Sequence, residues 1–579
     1  MQKICQNCKN NFEIDSEDLR FYERISVPPP TFCPQCRLAR KLIWRNERSL
    51  YKRKCDLCKK DVISMYKADA PFPVFCHDCW WSDEWSPLNY GQDYDFNKPF
   101  FQQFAELQNK VPHAASYETK NERCAYCNYA THNKGCYLLF GSWFNENSGY
   151  SQTLLESREC WDCIYVKKSE LCLSSADLMQ CSKVIHSINC SNCIDSAFLY
   201  DCRNCQNCLF SWNLRNKNYY IFNEPVSKEE FARRKEELLG SNESLVKNMA
   251  LFKDAVTKQA LHKFMTGERN HNVSGDLLYG CKNVRDSFYI HDGENEKFAV
   301  RGGVGQKDSM DIFGVHSGEL IYECNSVDFS SRCFFGTNAE NNVNAVYALD
   351  CEHTNNIFGC TGLRKKDFCI LNKQYTKEEF EILKEKIIIH MNEMPFVDKK
   401  NKVYKYGEFF PSDLSPHAYN ESIAQEWVPL SEEKALALGY GWDSVGEKNY
   451  EPTISWKDLQ PTVAQTEDGV LKEIILCQAW DENKTSAQNH KCTKAFRITE
   501  DELLIYRRLN VPLPRKCPNT RYFELSQMRS RPEFFHRSCM CTLPNHDHES
   551  SCPNEFETSY APGRPDKIYC ESCYNKEVY

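Results

Sequence analysis

Between Cys160 and Leu214 the chain reads CWDCIYVKKSELCLSSADLMQCSKVIHSINCSNCIDSAFLYDCRNCQNCLFSWNL. Cys160, Cys181 and Cys202 are spaced by 21 residues; Cys172, Cys193 and Leu214 keep the same interval, and Ile164 with Ile185 and Leu178 with Leu199 stay in step. A period near 20 with small apolar residues at equivalent positions, and no helical spacing, predicts a β-solenoid whose coils stack those positions into ladders inside the core. Cysteine alternates there with Leu, Val and Ser. A free thiol is a small, often buried core residue, so packing is expected of these thiols rather than metal or redox work. That expectation extends to Cys124-x-x-Cys127, Cys160-x-x-Cys163, Cys190-x-x-Cys193 and Cys202-x-x-Cys205-x-x-Cys208.

The solenoid pattern occurs twice. Ser196 to Phe231 aligns without gaps to Ala345 to Phe380 at an offset of 149, so that Asp201-Cys202 matches Asp350-Cys351 and Leu214-Arg215 matches Leu363-Arg364. Each copy ends in a polar-aromatic strand, Asn218 to Asn223 or Asp367 to Asn372, followed by a capping-box start, Ser227 with Glu230 or Thr376 with Glu379. The first predicted helix runs to about Leu239. After Gly240 a second is expected, with Leu245, Met249, Phe252, Val256 and Phe264 on one face; the other copy supplies Phe380, Leu383, Ile387 and Met391. Such amphipathic helices are expected to cover the ends of the solenoid.

The two ends of the chain repeat each other. Phe12, Ile14, Leu19, Tyr22, Val27, Pro28, Pro30, Cys33, Arg37, Arg53 and Cys55 recur at an offset of 484, as Phe496 through Cys539. Cys58, Tyr66, Pro71, Cys76 and Cys79 recur as Cys552, Tyr560, Pro565, Cys570 and Cys573 at an offset of 494, so ten residues are inserted that carry Cys541, His546 and His548. His546 and His548, in Asn545-His-Asp-His548, could bind a further metal, but on this Ser-rich insertion solvated histidines are the expectation.

Of 34 cysteines, eight lie between Cys5 and Cys79, eighteen between Cys124 and Cys369 and eight between Cys477 and Cys573. Residues Met1 to Phe12 hold Cys5 and Cys8 where a signal peptide would be apolar, and no run of roughly 18 apolar residues could span a bilayer. A cytoplasmic chain without membrane association is the expectation, and in that compartment paired thiols point to metal before disulfides. Cys5, Cys8, Cys33 and Cys36 form one four-thiolate set and Cys55, Cys58, Cys76 and Cys79 a second. Two C-x-x-C turns close a tetrahedral shell, and Zn²⁺ tolerates four thiolates without redox chemistry; a rubredoxin-type iron centre shares the knuckles. Cys539, Cys552, Cys570 and Cys573 give a third set, with Cys541 an alternative to Cys539. The expectation is therefore about three Zn²⁺ ions per chain. The fourth set is decayed, with Asn489 aligned to Cys5 and Thr520 to Cys36; Cys477, His490, Cys492 and Cys517 are the residues that could complete a site there.

The net charge of −8, from 72 basic and 80 acidic residues, excludes a globally basic nucleic-acid coat. Locally, residues 37–60 are strongly basic and contain Arg37, Arg40, Lys41, Trp44, Arg45, Arg48, Lys52, Arg53 and Lys54. Cations neutralise phosphates and an aromatic stacks on a base, so this segment is a candidate nucleic-acid contact; otherwise it is an amphipathic helix with a solvated cationic face. No G-x-S-x-G, H-E-x-x-H or G-x-x-x-x-G-K-[ST] occurs, and Gly302-Gly303-Val304-Gly305 reads as a turn. Asp276, Asp286, Asp292, Asp308, Asp311 and Asp328 could line the face of a carbohydrate-active solenoid enzyme, the minor reading. No small-molecule substrate is inferred.

Cys5-Gln-Asn-Cys8, Pro28-Pro-Pro-Thr-Phe-Cys-Pro-Gln-Cys36, Trp44-Arg-Asn-Glu-Arg-Ser-Leu-Tyr-Lys-Arg-Lys-Cys55 and Asn554-Glu-Phe-Glu-Thr-Ser-Tyr-Ala-Pro562 resemble a family of bacterial multi-zinc-ribbon proteins without an assigned activity. The resemblance covers nearly the whole chain and implies paired zinc ribbons in a bacterial cytoplasm. Together the readings predict a mainly β, multidomain protein with zinc-ribbon modules at both ends of a two-part β-solenoid with capping α-helices. The expected segments are a tandem zinc-ribbon module at 1–82, a connector at 83–123, solenoid halves at 124–226 and 267–375, a helical segment at 227–266, a capping helix at 376–391, an extended connector at 392–476 and the diverged module at 477–579. The expected function is a non-enzymatic zinc-binding scaffold or adaptor, binding nucleic acid or a ribonucleoprotein through the basic module, or alternatively binding proteins alone.

Overall fold

The computed structural model describes residues 1–303, 305–314, 318–444, 450–546 and 548–579. Val304 of the glycine cluster and Asp547 of the inserted segment lie outside the described residues. The protein is mostly β, built around a twelve-stranded sheet that opens at Glu118–Thr119 and, among the described residues, a nine-stranded sheet that ends at Lys373–Gln374.

Within the first sheet the strands pair in parallel at a fixed interval: Gln152 with Ile164, Ile164 with Ala176, Ala176 with Ile188. Bridges elsewhere on the turn keep it too, as in Gly149 with Trp161 and Trp161 with Leu173. The chain thus returns to the same place every twelve residues, which replaces the 21-residue interval read from the sequence. Cys160 lies above Cys172, not Cys181. The error has a physical source, because the elementary unit is three residues and 21 is a multiple of three.

In each triplet one residue takes the left-handed conformation, as Asp162, Tyr165, Lys168, Leu171, Ser174 and Asp177 do with φ between 48° and 60°. The next residue is buried: Cys163, Val166, Ser169, Cys172, Ser175 and Leu178. Four triplets make one turn. Asn and Asp tolerate the left-handed region better than other side chains with a Cβ, which accounts for their frequency at these corners. Aromatic corners are held by stacking on the next turn; Phe198 lies 4.4 Å from Phe210, and Phe210 lies 5.1 Å from Phe222.

The buried cysteines behave as serines do. Cys172 donates to the carbonyl of Glu170 at 3.5 Å and approaches that of Cys181 at 3.8 Å; Ser157 makes the same two contacts, with Leu155 and Val166. The second sheet repeats this geometry, with one extra residue accommodated across the glycine cluster, where Lys297 pairs with Met310 instead of the residue twelve on.

Element by element, the 149-residue offset holds. Strands Ile194–Tyr200, Gln206–Trp212 and Asn218–Ile221 recur as Val343–Leu349, Asn355–Thr361 and Asp367–Ile370. Each sheet is then closed by a short antiparallel strand, Glu224–Pro225 or Lys373–Gln374. Helices Lys228–Leu239 and Lys377–Glu393 follow; Thr376 and Glu379 form a full capping box, whereas Ser227 caps alone. The second helix, Asn242–Lys258, buries Phe252 and Val256, but Phe264 lies beyond it and packs on Phe556. In 392–476 a helix, Glu432–Ala437, is capped by Ser431 and followed by Gly439 at φ 86°. Phe409, Phe410, Tyr419 and Ile423 of the same stretch enter the core of the N-terminal module.

Candidate metal centres and the buried basic segment

Both ends fold alike. Helices Ser16–Ile25 and Pro34–Leu42 recur at an offset of 484 as Glu500–Leu509 and Pro518–Ser526, and the strand Tyr51–Lys54 as Phe535–Ser538. In each copy the second cysteine pair opens a helix: Cys33, Cys76, Cys517 and Cys570 are all N-cap residues. A helix N-terminus favours a thiolate, so this placement prepares the sulfurs for a cation.

Three four-cysteine groups have their sulfurs within 4.8 Å of one another: Cys5, Cys8, Cys33 and Cys36; Cys55, Cys58, Cys76 and Cys79; and Cys539, Cys552, Cys570 and Cys573. Zinc–sulfur bonds of about 2.3 Å give a tetrahedral edge of about 3.8 Å. Sulfur separations of 3.7 Å (Cys8–Cys33), 3.8 Å (Cys58–Cys76) and 3.8 Å (Cys552–Cys570) match that edge. All three groups could hold a metal ion. Backbone N–H groups also reach the sulfurs, from Cys33 to Cys5 and from Cys76 to Cys55, both at 3.3 Å. Burial raises the Cys55 thiol, but the N–H groups of Cys76, Cys58 and Leu57 outweigh it and leave the group at about 7. Cys570 is drawn down to about 6 against its burial, by Ser572, Asn554 and the N–H of Cys573.

Equivalent hydrogen bonds assign two positions that sequence alignment left open. The N–H of Cys570 reaches Cys539 at 3.2 Å, as that of Cys76 reaches Cys55, so Cys539 rather than Cys541 completes the third group. The N–H of Cys517 reaches Cys477 at 3.2 Å, and the N–H of Cys477 donates to Lys494 as that of Cys5 donates to Asn10. Cys477, not Asn489, therefore occupies the place of Cys5. Helices Gln478–Glu482 and Lys484–Asn489 fill the inserted stretch that hid this equivalence. Cys477, Cys492 and Cys517 converge as a three-thiol group, with Thr520 at 3.3 Å from Cys517 in the fourth corner. His490 does not join them; it stacks on Phe523 at 3.9 Å.

The basic segment is turned inward, which corrects the expectation of a solvated cationic face. Arg37, Arg40, Lys41, Trp44, Arg45 and Arg53 are buried. Arg37 pairs with Asp311 at 2.8 Å, Arg40 with Glu323 and Glu408 at 2.8 Å each, and Arg45 with Glu47 at 2.6 Å; Lys41 donates to the carbonyl of Asp311. Trp44 packs on Phe410 at 4.9 Å. Arg48 is half-buried over Tyr522, and Arg53 donates to Lys67 and Asp56. Only Lys52 and Lys54 of the nine are exposed, and Lys54 pairs with Asp61. Residue type alone did not reveal this for Arg37 and Arg40, because their partner acids Asp311 and Glu408 lie 274 and 368 positions away.

The scattered acids on the second sheet fall in different settings. Asp286, Asp292, Asp308 and Asp311 sit at left-handed corners, Asp276 is buried and accepts from Ser559 and the Thr266 N–H, and Asp328 ends the strand Ile321–Asp328. Among the described residues, none of the eighteen middle cysteines joins a metal-sized group. No described helix is long and apolar enough to cross a membrane.

No protein-family model matches the chain, and no curated protein matches it. Among solved structures, one from Desulfovibrio desulfuricans G20, a candidate acetyltransferase, is 8% identical and has a TM-score of 0.11. The match spans 41% of this chain and 63% of that one, less than two thirds of its length, and a likeness at that score bears on neither fold nor function here.

Proposed function

We propose that this chain is a non-enzymatic, zinc-stapled scaffold whose two twelve-residue-per-turn β-solenoids are clamped together by zinc-ribbon modules at both ends, and that its partners are proteins. The observation that carries the reading is the inward use of the basic segment. Arg37, Arg40 and Lys41 are consumed by Asp311, Glu323 and Glu408, so the module's charge holds the molecule together instead of facing a phosphate backbone. Four-thiolate shells support a structural role, since they leave no position for a catalytic water.

Retention of the full, zinc-loaded chain on mixed RNA and DNA oligonucleotides across a salt series tests this reading. The expected result is weak retention at low salt that the K52A/K54A variant does not alter. Tight binding that falls steeply with salt and is lost in K52A/K54A would restore nucleic acid as the partner, through the exposed lysines of this segment.

A further inference from the structure

The ten-residue insertion that distinguishes the C-terminal module folds back onto the third cysteine group. Cys541, His546, His548 and Cys573 bring one ligand atom each within 4.8 Å of one another, and Cys573 is also a corner of the group with Cys539, Cys552 and Cys570. His546 is buried, contrary to the solvated histidine expected from the sequence. We propose that the C-terminal module holds two divalent, zinc-like ions bridged by the Cys573 thiolate, one in the four-cysteine shell and one bound by Cys541, His546, His548 and Cys573.

Three features carry the second ion, and the proposal rests on the reading of the four-cysteine groups as zinc sites. First, the edges fit. Zinc–sulfur and zinc–nitrogen bonds of about 2.3 and 2.0 Å give a mixed tetrahedral edge of about 3.5 Å. Cys573 Sγ lies 3.5 Å from His548 Nε2, and Cys541 Sγ lies 3.2 Å from His546 Nδ1.

Second, His546 is oriented as a metal-bound imidazole is. Its Nδ1 faces the thiol while Nε2 lies 3.0 Å from Glu577 Oε1. A carboxylate behind a ligating histidine fixes the tautomer that leaves the other nitrogen free for metal. Cys573 and Glu577 stand four residues apart on the helix Glu571–Val578, and so share one face. Third, the charge is eased: five thiolates against two divalent cations leave a single net negative charge, where the four-cysteine shell around one ion, with Cys541 a neutral thiol, leaves two. The N-terminal module has no counterpart, because Cys55 and Cys58 are separated by Asp56 and Leu57 alone.

Native mass spectrometry of the full chain counts the metal. The H546A/H548A variant and, separately, C541S are expected to lose one equivalent relative to the wild type, and a variant that keeps the full count overturns the proposal. Cadmium NMR of the wild-type chain reads the bridge without any substitution: two cadmium resonances scalar-coupled through one sulfur are expected, and uncoupled resonances overturn it. The C8S variant, which opens the first N-terminal group, separates the two readings. If C8S loses metal while H546A/H548A does not, the four-cysteine sites stand and the bridged pair fails; if the wild-type chain retains no metal, both fail.

Discussion

Thr520 shows how a single side chain sets the character of a metal group. It occupies the corner that Cys36 fills at the other end, fully buried and 3.3 Å from Cys517. A hydroxyl is a poorer ligand for a soft or borderline cation than a thiolate, so the three-thiol group should surrender metal to a competing chelator before the four-cysteine groups do. Thr520→Cys should reverse that order and add one chelator-resistant equivalent, read by metal release against a chromophoric competitor. Glu502, the partner of the adjacent Arg521, poses an electrostatic problem. Burial raises its pKa from 4.5 to about 7 although Arg521 draws it down from 3.2 Å. An acid with a raised folded pKa holds its proton in the native state while the unfolded chain has lost it, so its contribution to stability falls as pH rises from about 4.5 to 7 and is constant above. Between about pH 5.5 and 7.5 the wild type should lose up to about 2 kcal/mol relative to E502Q, checked by the difference in unfolding midpoints at each pH.

At the scale of the element, the three-residue unit decides what was legible. The cysteine, serine and leucine alternation announced a stacked β structure, and the 149-residue repeat announced two copies, because both depend on residue identity at buried positions. The length of the turn did not emerge. Every third residue from Cys160 to Leu214 is inward-facing and small or aliphatic, so any multiple of three produces an apparent ladder. The discriminating signal was at the corners: His186, Phe198, Phe210 and Phe222 stack in sequence at intervals of twelve, and only the true turn length aligns aromatic corners. The two N-terminal four-cysteine groups were readable from spacing alone and the third from the repeat up to the choice between Cys539 and Cys541, whereas Cys477 was obscured by two inserted helices and the buried state of Arg37 by a partner 274 positions away. If the inward thiols serve packing, Cys172→Ser should cost under about 1 kcal/mol and leave the metal count unchanged, since Ser157 already makes the same hydrogen bonds. Cys172→Leu should cost about 1–3 kcal/mol by adding volume at a fully buried position. Denaturant unfolding of the two variants separates the outcomes.

Across the whole molecule, the two internal repeats meet in one another. Arg37 binds Asp311, and Arg521 binds Asp162: the arginines are 484 residues apart and the aspartates 149. Arg24 with Asp308 and Arg508 with Glu159 stand in the same relation, as do Arg45 with Ser326 and Arg529 with Asp177. Each end module therefore docks its helices on the sheet farther from it in sequence. The second half of each module pairs with the strand just ahead of the nearer sheet, Val74–Phe75 with His113–Ala114 and Lys567–Tyr569 with Leu261–Lys263, and also reaches the farther one, through Trp80 with Arg364 and Tyr574 with Asp201. Both modules thus contact both sheets, and their ion pairs recur at the two repeat offsets. Arg37 and Asp311 are buried almost completely, and removing one member of such a pair leaves an uncompensated charge costing about 3–5 kcal/mol. Arg37→Met should lower stability by that order, while the double substitution R37M/D311L should recover most of it, because a well-packed apolar pair of similar volume replaces a buried ion pair at little cost. Thermal unfolding of the metal-loaded chain measures R37M, D311L and the double variant. Full additivity of the two single losses in the double variant would mean that Arg37 and Asp311 act independently, and that the modules are held to the sheets by apolar packing around Tyr22 and Tyr322 instead of by the repeated ion pair.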